Sequence, residues 1–90
     1  MADRWHPLYD TRHITRNVMV GERRTSVRLE PEFWAGLDAM ALARKIGRAA
    51  MVESIYMDGG SGSFASRVRV AVLGYYRELA SASLEQREVT

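Results

Sequence analysis

Several features that commonly stabilise or equip small proteins are missing from this chain. It has no cysteine, which excludes disulfide bonds and thiolate metal sites. Its two histidines are too few for a convincing structural metal site. No apolar run approaches the roughly 20 residues needed to cross a bilayer, and Asp3 and Arg4 near the start do not fit a secretory signal. We therefore expect no metal, no cofactor and no membrane span, and a cytoplasmic location.

The length of the chain limits the stability that a monomer can reach. With 90 residues the chain forms one small domain. A domain of this size buries only about 60–65% of the surface of its unfolded chain, so a monomer is marginally stable. Since disulfides and metals are excluded, a partner subunit is the remaining source of stability. We expect a homodimer, the commonest symmetric assembly.

Lysine is scarce, and the positive charge is carried by arginine. Lys45 is the single lysine, and the net charge is only +2. Residues 11–28 nevertheless contain a dense group of arginines against the single acid Glu22. These arginines are Arg12, Arg16, Arg23, Arg24 and Arg28. Such a segment favours bidentate contacts with phosphates or guanine edges, although charge alone is equally compatible with a solvated basic surface.

No catalytic set is visible. Ser61 and Ser63 lie in a glycine-rich segment, but both histidines, His6 and His13, lie near the N-terminus. The glycine-rich segment also lacks the Lys-Ser/Thr ending of a phosphate-binding loop, so we interpret it as a linker. His6, Asp10 and His13 could form a metal cluster, but polar residues of an irregular arm explain them better. We expect a protein that is not an enzyme.

Two segments alternate with the period of strands. Residues 1–13 are predicted to form an irregular N-terminal arm. Residues 14–20 alternate weakly and residues 24–29 alternate well, with Thr25, Val27 and Leu29 on one face and Arg24, Ser26 and Arg28 on the other. Gly21-Glu22-Arg23 is a plausible turn between them, so the two segments may pair as a hairpin.

Three helices follow. Glu30-Pro31-Glu32 predicts a helix start, because proline suits the first helical position and acids complement the dipole. Arg44 and Lys45 are expected in its last turn, with Gly47 as its stop. A second helix is predicted over about 48–57 and a third from the N-cap Ser63 to about residue 79. Residues 80–90 are predicted to form a flexible polar tail.

The string from Arg24 to Trp34, RTSVRLEPEFW, resembles the ribbon-helix-helix superfamily of the Arc, MetJ and CopG type. The resemblance covers roughly residues 17–79 and includes a third helix ending near VLGYYREL. It implies a mainly α fold with a short β ribbon, an intertwined homodimer with an upstream strand and a third helix, in a domain over 14–79. The family pairs this strand antiparallel with that of a second copy, and the resulting ribbon enters the major groove of DNA.

The resemblance also implies residue roles. Arg24, Ser26 and Arg28 would contact bases. A second set would contact phosphates near the start of the second helix and beside the ribbon: Gly47, Arg48, Ala49, Arg16 and Arg23. A third set would form the dimer core: Val27, Leu29, Phe33, Trp34, Leu37, Met51, Val52 and Ile55. This sequence departs from the family pattern in two ways. Gly47 occupies a position where the family usually has Ser or Thr, and the upstream strand would make a dimer sheet of four strands.

Two functions are compatible with these features. The first is a prokaryotic, sequence-specific DNA-binding homodimer that acts as a transcriptional repressor or autoregulator on double-stranded DNA. The second is a dimeric protein-interaction module, antitoxin-like or a scaffold, built on the same fold without specific DNA binding. In either case the N-terminal arm or the third helix could hold a protein partner or a further dimer.

Overall fold

The computed structural model describes residues 11–89, and the side chains of residues 11–86. Two strands are followed by three helices. They are β1 (Ile14–Val20), β2 (Arg23–Leu29), α1 (Pro31–Ala43), α2 (Arg48–Asp58) and α3 (Phe64–Val89). This confirms the predicted fold class, which is mainly helical with a short β ribbon and a third helix. Most of the predicted N-terminal arm, including His6 and Asp10, lies outside the described residues.

β1 and β2 form an antiparallel hairpin within the chain. Their register pairs Ile14 with Leu29 and Val20 with Arg23. The turn is Gly21-Glu22, and Gly21 has a φ of 63°, which a two-residue hairpin turn requires and glycine adopts without strain. β2 therefore begins at Arg23, one residue earlier than the sequence pattern predicts.

The hairpin lies with one face on the helices. Val18, Val20, Val27 and Leu29 point to that face and are buried, as period-2 alternation requires. The helices complete the core with a set of apolar side chains. These are Trp34, Leu37, Met40, Ala41, Met51, Val52, Ile55, Val68 and Val72. α2 packs under β1, while α3 packs against both β2 and α1.

The sequence predicts the start of α1 correctly but misplaces its end. Pro31 is the first helical residue, as predicted, and the Glu30 carbonyl accepts hydrogen bonds from the amides of Phe33 and Trp34. At the C-terminus of α1 the prediction of Arg44 and Lys45 in the last turn is wrong. Arg44 and Lys45 lie beyond the last turn, and Lys45 itself takes the left-handed conformation that ends the helix, with a φ of 59°.

Gly47 is therefore not the stop of α1 but the N-cap of α2. The chain leaves α1 through a Schellman motif, in which the Ile46 amide donates to the Ala41 carbonyl and the Lys45 amide to the Leu42 carbonyl. The αL position, where glycine is usual, is held by lysine here, so a search for glycine misplaces the stop by two residues.

α3 begins where the sequence predicts and ends later. The Ser63 hydroxyl accepts a hydrogen bond from the Ser66 amide at 3.1 Å, which is the expected N-cap. The helix continues through Val89, over the residues where a flexible tail is expected. Ala80, Ala82, Leu84 and Glu85 are strong helix formers, so intrinsic propensity accounts for the extension.

Candidate nucleic-acid interface

The face of the hairpin that points away from the helices is solvent-exposed along its whole length. We call it the outer face and define it by three cross-strand rows, each with one residue from each strand. The rows are Met19 with Arg24, Asn17 with Ser26, and Thr15 with Arg28. All of these residues are exposed. The three residues predicted to contact bases therefore lie together on one accessible surface.

The guanidinium groups of Arg24 and Arg28 are available for a ligand. Within residues 11–86, neither side chain makes an ion pair or a hydrogen bond. The row between them is different, because the Ser26 hydroxyl donates to Asn17 Oδ1 at 2.7 Å. Among the described residues, the outer face thus carries two arginines without an ion-pair partner, one on either side of a hydrogen-bonded polar pair.

The upstream strand β1 lies beside β2 and does not cover the outer face. The sequence pattern left undecided whether the two strands pair as a hairpin. The structure confirms the hairpin, since β2 pairs with β1 along its length. The sheet has two strands in the described part of the chain, so the second edge of β2 has no partner strand there. Pairing of β2 with a second copy stays a prediction.

The residues predicted to contact phosphates do not form one group. Arg16 pairs with Val27 and Arg23 with Val20, which places both arginines on the helix side of the hairpin, opposite the outer face. The Arg16 guanidinium lies 5.4 Å from the centre of the Trp34 ring, a cation–π distance. Arg23 lies beside the turn, at the far end of the ribbon from α1.

Arg48 is held by neighbouring side chains. Its Nε and Nη2 donate to the two carboxylate oxygens of Asp38 at 2.7 and 2.6 Å, a bidentate pair that joins α2 to α1. Arg48 also lies 5.4 Å from the centre of the Trp34 ring. The hydrogen bond from Arg48 lowers the pKa of Asp38 and raises that of Arg48 itself.

Gly47 and Ala49, the neighbours of Arg48, form the exposed start of α2. Gly47 caps the helix without a side-chain hydrogen bond. The first amides of a helix lack internal partners and carry partial positive charge. Arg16 and Arg48 each lie 5.4 Å from the centre of the Trp34 ring, so these two of the predicted phosphate contacts share a neighbour while Arg23 lies apart.

A second ion-pair cluster joins α3 to the end of β2. Arg69 Nε donates to Glu30 Oε1 at 2.9 Å, and its Nη2 donates to the backbone carbonyl of Arg28 at 3.4 Å. His13 Nε2 lies 3.4 Å from Glu30 Oε2. The backbone amide of Glu30, and next the Arg69 guanidinium, hold the pKa of this carboxyl below its ordinary value. The network fixes the last residues of β2 against α3.

Sequence reasoning missed Asn17, Asp38 and Arg69. The signal for Asn17 was present, because the alternation of residues 14–20 already placed it opposite the buried valines. Nothing in the local sequence points to Asp38 or Arg69, since each finds its arginine or glutamate partner on another element.

The residues predicted as dimer core are buried within a single chain. Phe33 is half-buried under the Arg69 guanidinium, and the others are almost fully buried. The buried members are Val27, Leu29, Trp34, Leu37, Met51, Val52 and Ile55. The chain thus has a core of its own, and a role for these residues between two copies stays a prediction.

Residues 11–89, which the structure describes, contain neither a cluster of potential metal ligands nor a helix suited to a membrane span. No group of three or more potential ligands among histidine, aspartate and glutamate comes together there. None of the helices there has both the length and the apolar character that a bilayer span demands.

A ribbon followed by helices, with an arginine-bearing face open to solvent, defines a class of small nucleic-acid-binding folds. The family model described as "Ribbon-helix-helix domain" matches residues 13–76, most of the chain including both strands. The protein therefore belongs to the ribbon-helix-helix domain family. Domains of this family generally form dimers and bind DNA, and they are typically regulatory modules without catalytic activity. Comparison with curated proteins and with solved structures finds no match.

Proposed function

We propose that this protein is a sequence-specific DNA-binding homodimer that acts as a transcriptional repressor or autoregulator. The observation that carries the proposal is the contrast on the hairpin. The inner face buries its valines and Leu29 on the helices, whereas the outer face exposes the guanidiniums of Arg24 and Arg28, which make no ion pair or hydrogen bond within residues 11–86. Arginine with free donors can bond both O6 and N7 of guanine, the commonest specific contact in the major groove.

The spacing of the outer face suits a base-pair stack. Alternate residues of an antiparallel strand lie about 7 Å apart, and stacked bases rise about 3.4 Å, so residues 24, 26 and 28 can address every second base pair. An antiparallel pair of strands fits the major groove. Arg24 and Arg28 would then contact bases at the two ends of the ribbon segment, with Ser26 between them.

Contacts with the phosphate backbone of DNA would come from the start of α2. Gly47, Arg48 and Ala49 lie at the start of α2, where helix amides lack internal partners and the dipole is positive, and Arg16 and Arg48 each lie 5.4 Å from the centre of the Trp34 ring. Because Asp38 neutralises Arg48, the variant Asp38→Asn should release a cation beside this terminus. We expect this variant to bind all DNA sequences more tightly, with no change in the preferred sequence.

Binding to fluorescein-labelled duplexes, followed by anisotropy at several salt concentrations, tests the proposal. We expect the parent protein to prefer one sequence, and its log affinity to fall with log salt by about 0.9 per phosphate neutralised. Sedimentation analysis should give a dimer. A stable monomer in dilute solution, or a protein that binds no duplex at low salt, would contradict the proposal.

A second candidate is a protein-interaction module, and α3 carries the observation that favours it. Val70, Leu73 and Leu84 are 69%, 57% and 58% exposed and fall on one side of the helix. Pull-down from nuclease-treated lysate, with Leu73→Asp as the matched control, distinguishes the candidates. A partner that the parent retains and Leu73→Asp loses supports this function, whereas its absence together with specific DNA binding supports the first.

A further inference from the structure

The C-terminal half of α3 extends beyond the hydrophobic core. Every side chain from Tyr76 to Gln86 is exposed, whereas Val68 and Val72, earlier in the same helix, are buried. Helix propensity allows the exposed stretch to be helical. Most of the stability of helices in proteins, however, comes from the packing of an apolar face, so contact with another helix would stabilise this stretch further.

The side of α3 that lies roughly opposite the buried valines carries a heptad pattern. Its positions follow one another at alternate spacings of four and three residues, which is the period by which two helices pack along each other. We call this side the seam and define it by six exposed residues: Ser66, Val70, Leu73, Arg77, Ala80 and Leu84. Its three large apolar side chains are each more than half exposed, which marks an interaction surface.

We propose that the seam is an interface between two copies of this chain, which pack α3 against α3 in antiparallel orientation. Because the two heptads then run in opposite directions, Leu73 of one copy lies opposite Leu84 of the other, and Arg77 lies opposite Ala80. The contact is two-fold symmetric, so one patch serves on both copies. It is separate from the predicted pairing of β2 strands and does not depend on the proposed DNA binding.

The charges of α3 favour this orientation and a second copy as the occupant. In a parallel pair the two Arg77 side chains would face each other, which like-charge repulsion disfavours, and the helix dipoles also favour antiparallel packing. Beside the seam, α3 carries a shallow groove lined by Arg77, Glu78 and Glu85 among small residues. Within residues 11–86 these three side chains make no ion pair. In antiparallel packing the two grooves lie on the same side, so each Arg77 can pair with carboxylates of the other copy.

Disulfide formation in the purified full-length protein tests the orientation, since the parent has no cysteine. A disulfide needs Cα atoms about 4.4–6.8 Å apart. We expect the double variant Leu73→Cys/Leu84→Cys to form covalent dimers on mild oxidation. Each single variant should cross-link about tenfold more slowly or less, because its two cysteines would lie about 16 Å apart along the helix axis. Single variants that cross-link as fast as the double variant would contradict the antiparallel orientation.

Sedimentation at several protein concentrations tests the interface itself. We expect the mass of the parent to rise about twofold with concentration, from the dimer predicted for dilute solution. The variant Leu73→Asp/Leu84→Asp should lose this rise while circular dichroism shows that it is folded, because both side chains are exposed. Leu42→Asp changes a leucine that is 79% exposed on α1, away from the seam, and should behave as the parent.

The outcomes separate this inference from the proposed function. If the parent and the Leu73→Asp/Leu84→Asp variant have equal mass at every concentration, this inference fails, and a dimeric mass for both leaves the proposed homodimer standing. If the parent rises only from monomer to dimer and the variant stays a monomer, the seam is supported and pairing through β2 fails. If masses are equal but the pull-down captures another protein through Leu73, the seam binds that protein and not a second copy.

Discussion

The two faces of the β1–β2 hairpin are built from alternate residues of the same strands and have opposite environments. Val27 and Leu29 are 3% and 0% exposed, while Ser26 and Arg28, their sequence neighbours, are exposed. The fully buried side chains of the inner face are all apolar, and the outer face is mostly polar or cationic. Folding and the proposed recognition of DNA thus depend on different residues, so that each can be changed while the other is kept.

The largest effect should come from the inner face. Leu29→Ala removes a fully buried side chain at the junction of the hairpin and α1, and we expect a loss of about 2–5 kcal/mol in the free energy of unfolding. Arg28→Ala, one residue away on the outer face, should change it by less than about 0.5 kcal/mol. Urea denaturation followed by circular dichroism measures both. Equal losses for the two variants would show that the faces are not separable.

The packing of α1 against α3, behind the inner face, should give the next largest effect on stability. A Cβ on Gly36 would lie 2.5 Å from Val72 Cγ1, so Gly36→Ala forces α1 and α3 apart at this contact. We expect a cost of about 1–3 kcal/mol. A Cβ on Gly74 in α3 would have nothing within 4 Å. Gly74→Ala should therefore stabilise the protein by about 0.5–1 kcal/mol.

Thermal unfolding of the two glycine variants provides the measurement. The midpoint should fall for Gly36→Ala and rise for Gly74→Ala. A rise for both would mean that α1 and α3 are not in close contact at Gly36.

The ion pair between Asp38 and Arg48 should give the smallest effect. The hydrogen bond from Arg48 holds the pKa of Asp38 below its ordinary value of 3.8. A carboxyl with a depressed pKa in the folded state contributes stability above its unfolded pKa, and that contribution is lost as the pH falls through the folded value. Since both side chains are partly exposed, we expect about 0.5–1 kcal/mol near neutral pH.

Denaturation of the parent and Asp38→Asn between pH 7 and pH 2 checks this. The stability difference should be constant at neutral pH and shrink below about pH 4. Glu53→Gln, which removes an acid that makes no ion pair within the described residues, serves as control. A difference between parent and Asp38→Asn that persists unchanged at pH 2 would contradict an electrostatic origin.

Local patterns predicted much of this fold. Alternation identified both faces of the hairpin, Pro31 gave the start of α1, and Ser63 gave the start of α3. These features depend on residues that are close in sequence. The end of α1 was misplaced because Lys45 takes a backbone conformation that lysine seldom adopts, so composition gave no signal for it.

The site was predicted only in part. The outer face followed from alternation and from the family resemblance, and Arg24, Ser26 and Arg28 are all found on it. The partners of Arg48 and of Glu30 could not be foreseen, because Asp38 and Arg69 are brought to them by helix packing. Those contacts involve residues 10 and 39 positions away in the chain, a separation over which periodicity carries no information.

The most direct test of the account is the affinity of the outer-face variants for the duplex that the parent prefers. Arg24→Ala and Arg28→Ala should each weaken binding to that duplex by about 1–3 kcal/mol and bring it closer to binding of a scrambled duplex. Arg77→Ala, which removes the same charge from α3, should leave the preference intact. If the two ribbon variants bind both duplexes as the parent does, the outer face of the hairpin is not where this protein recognises DNA.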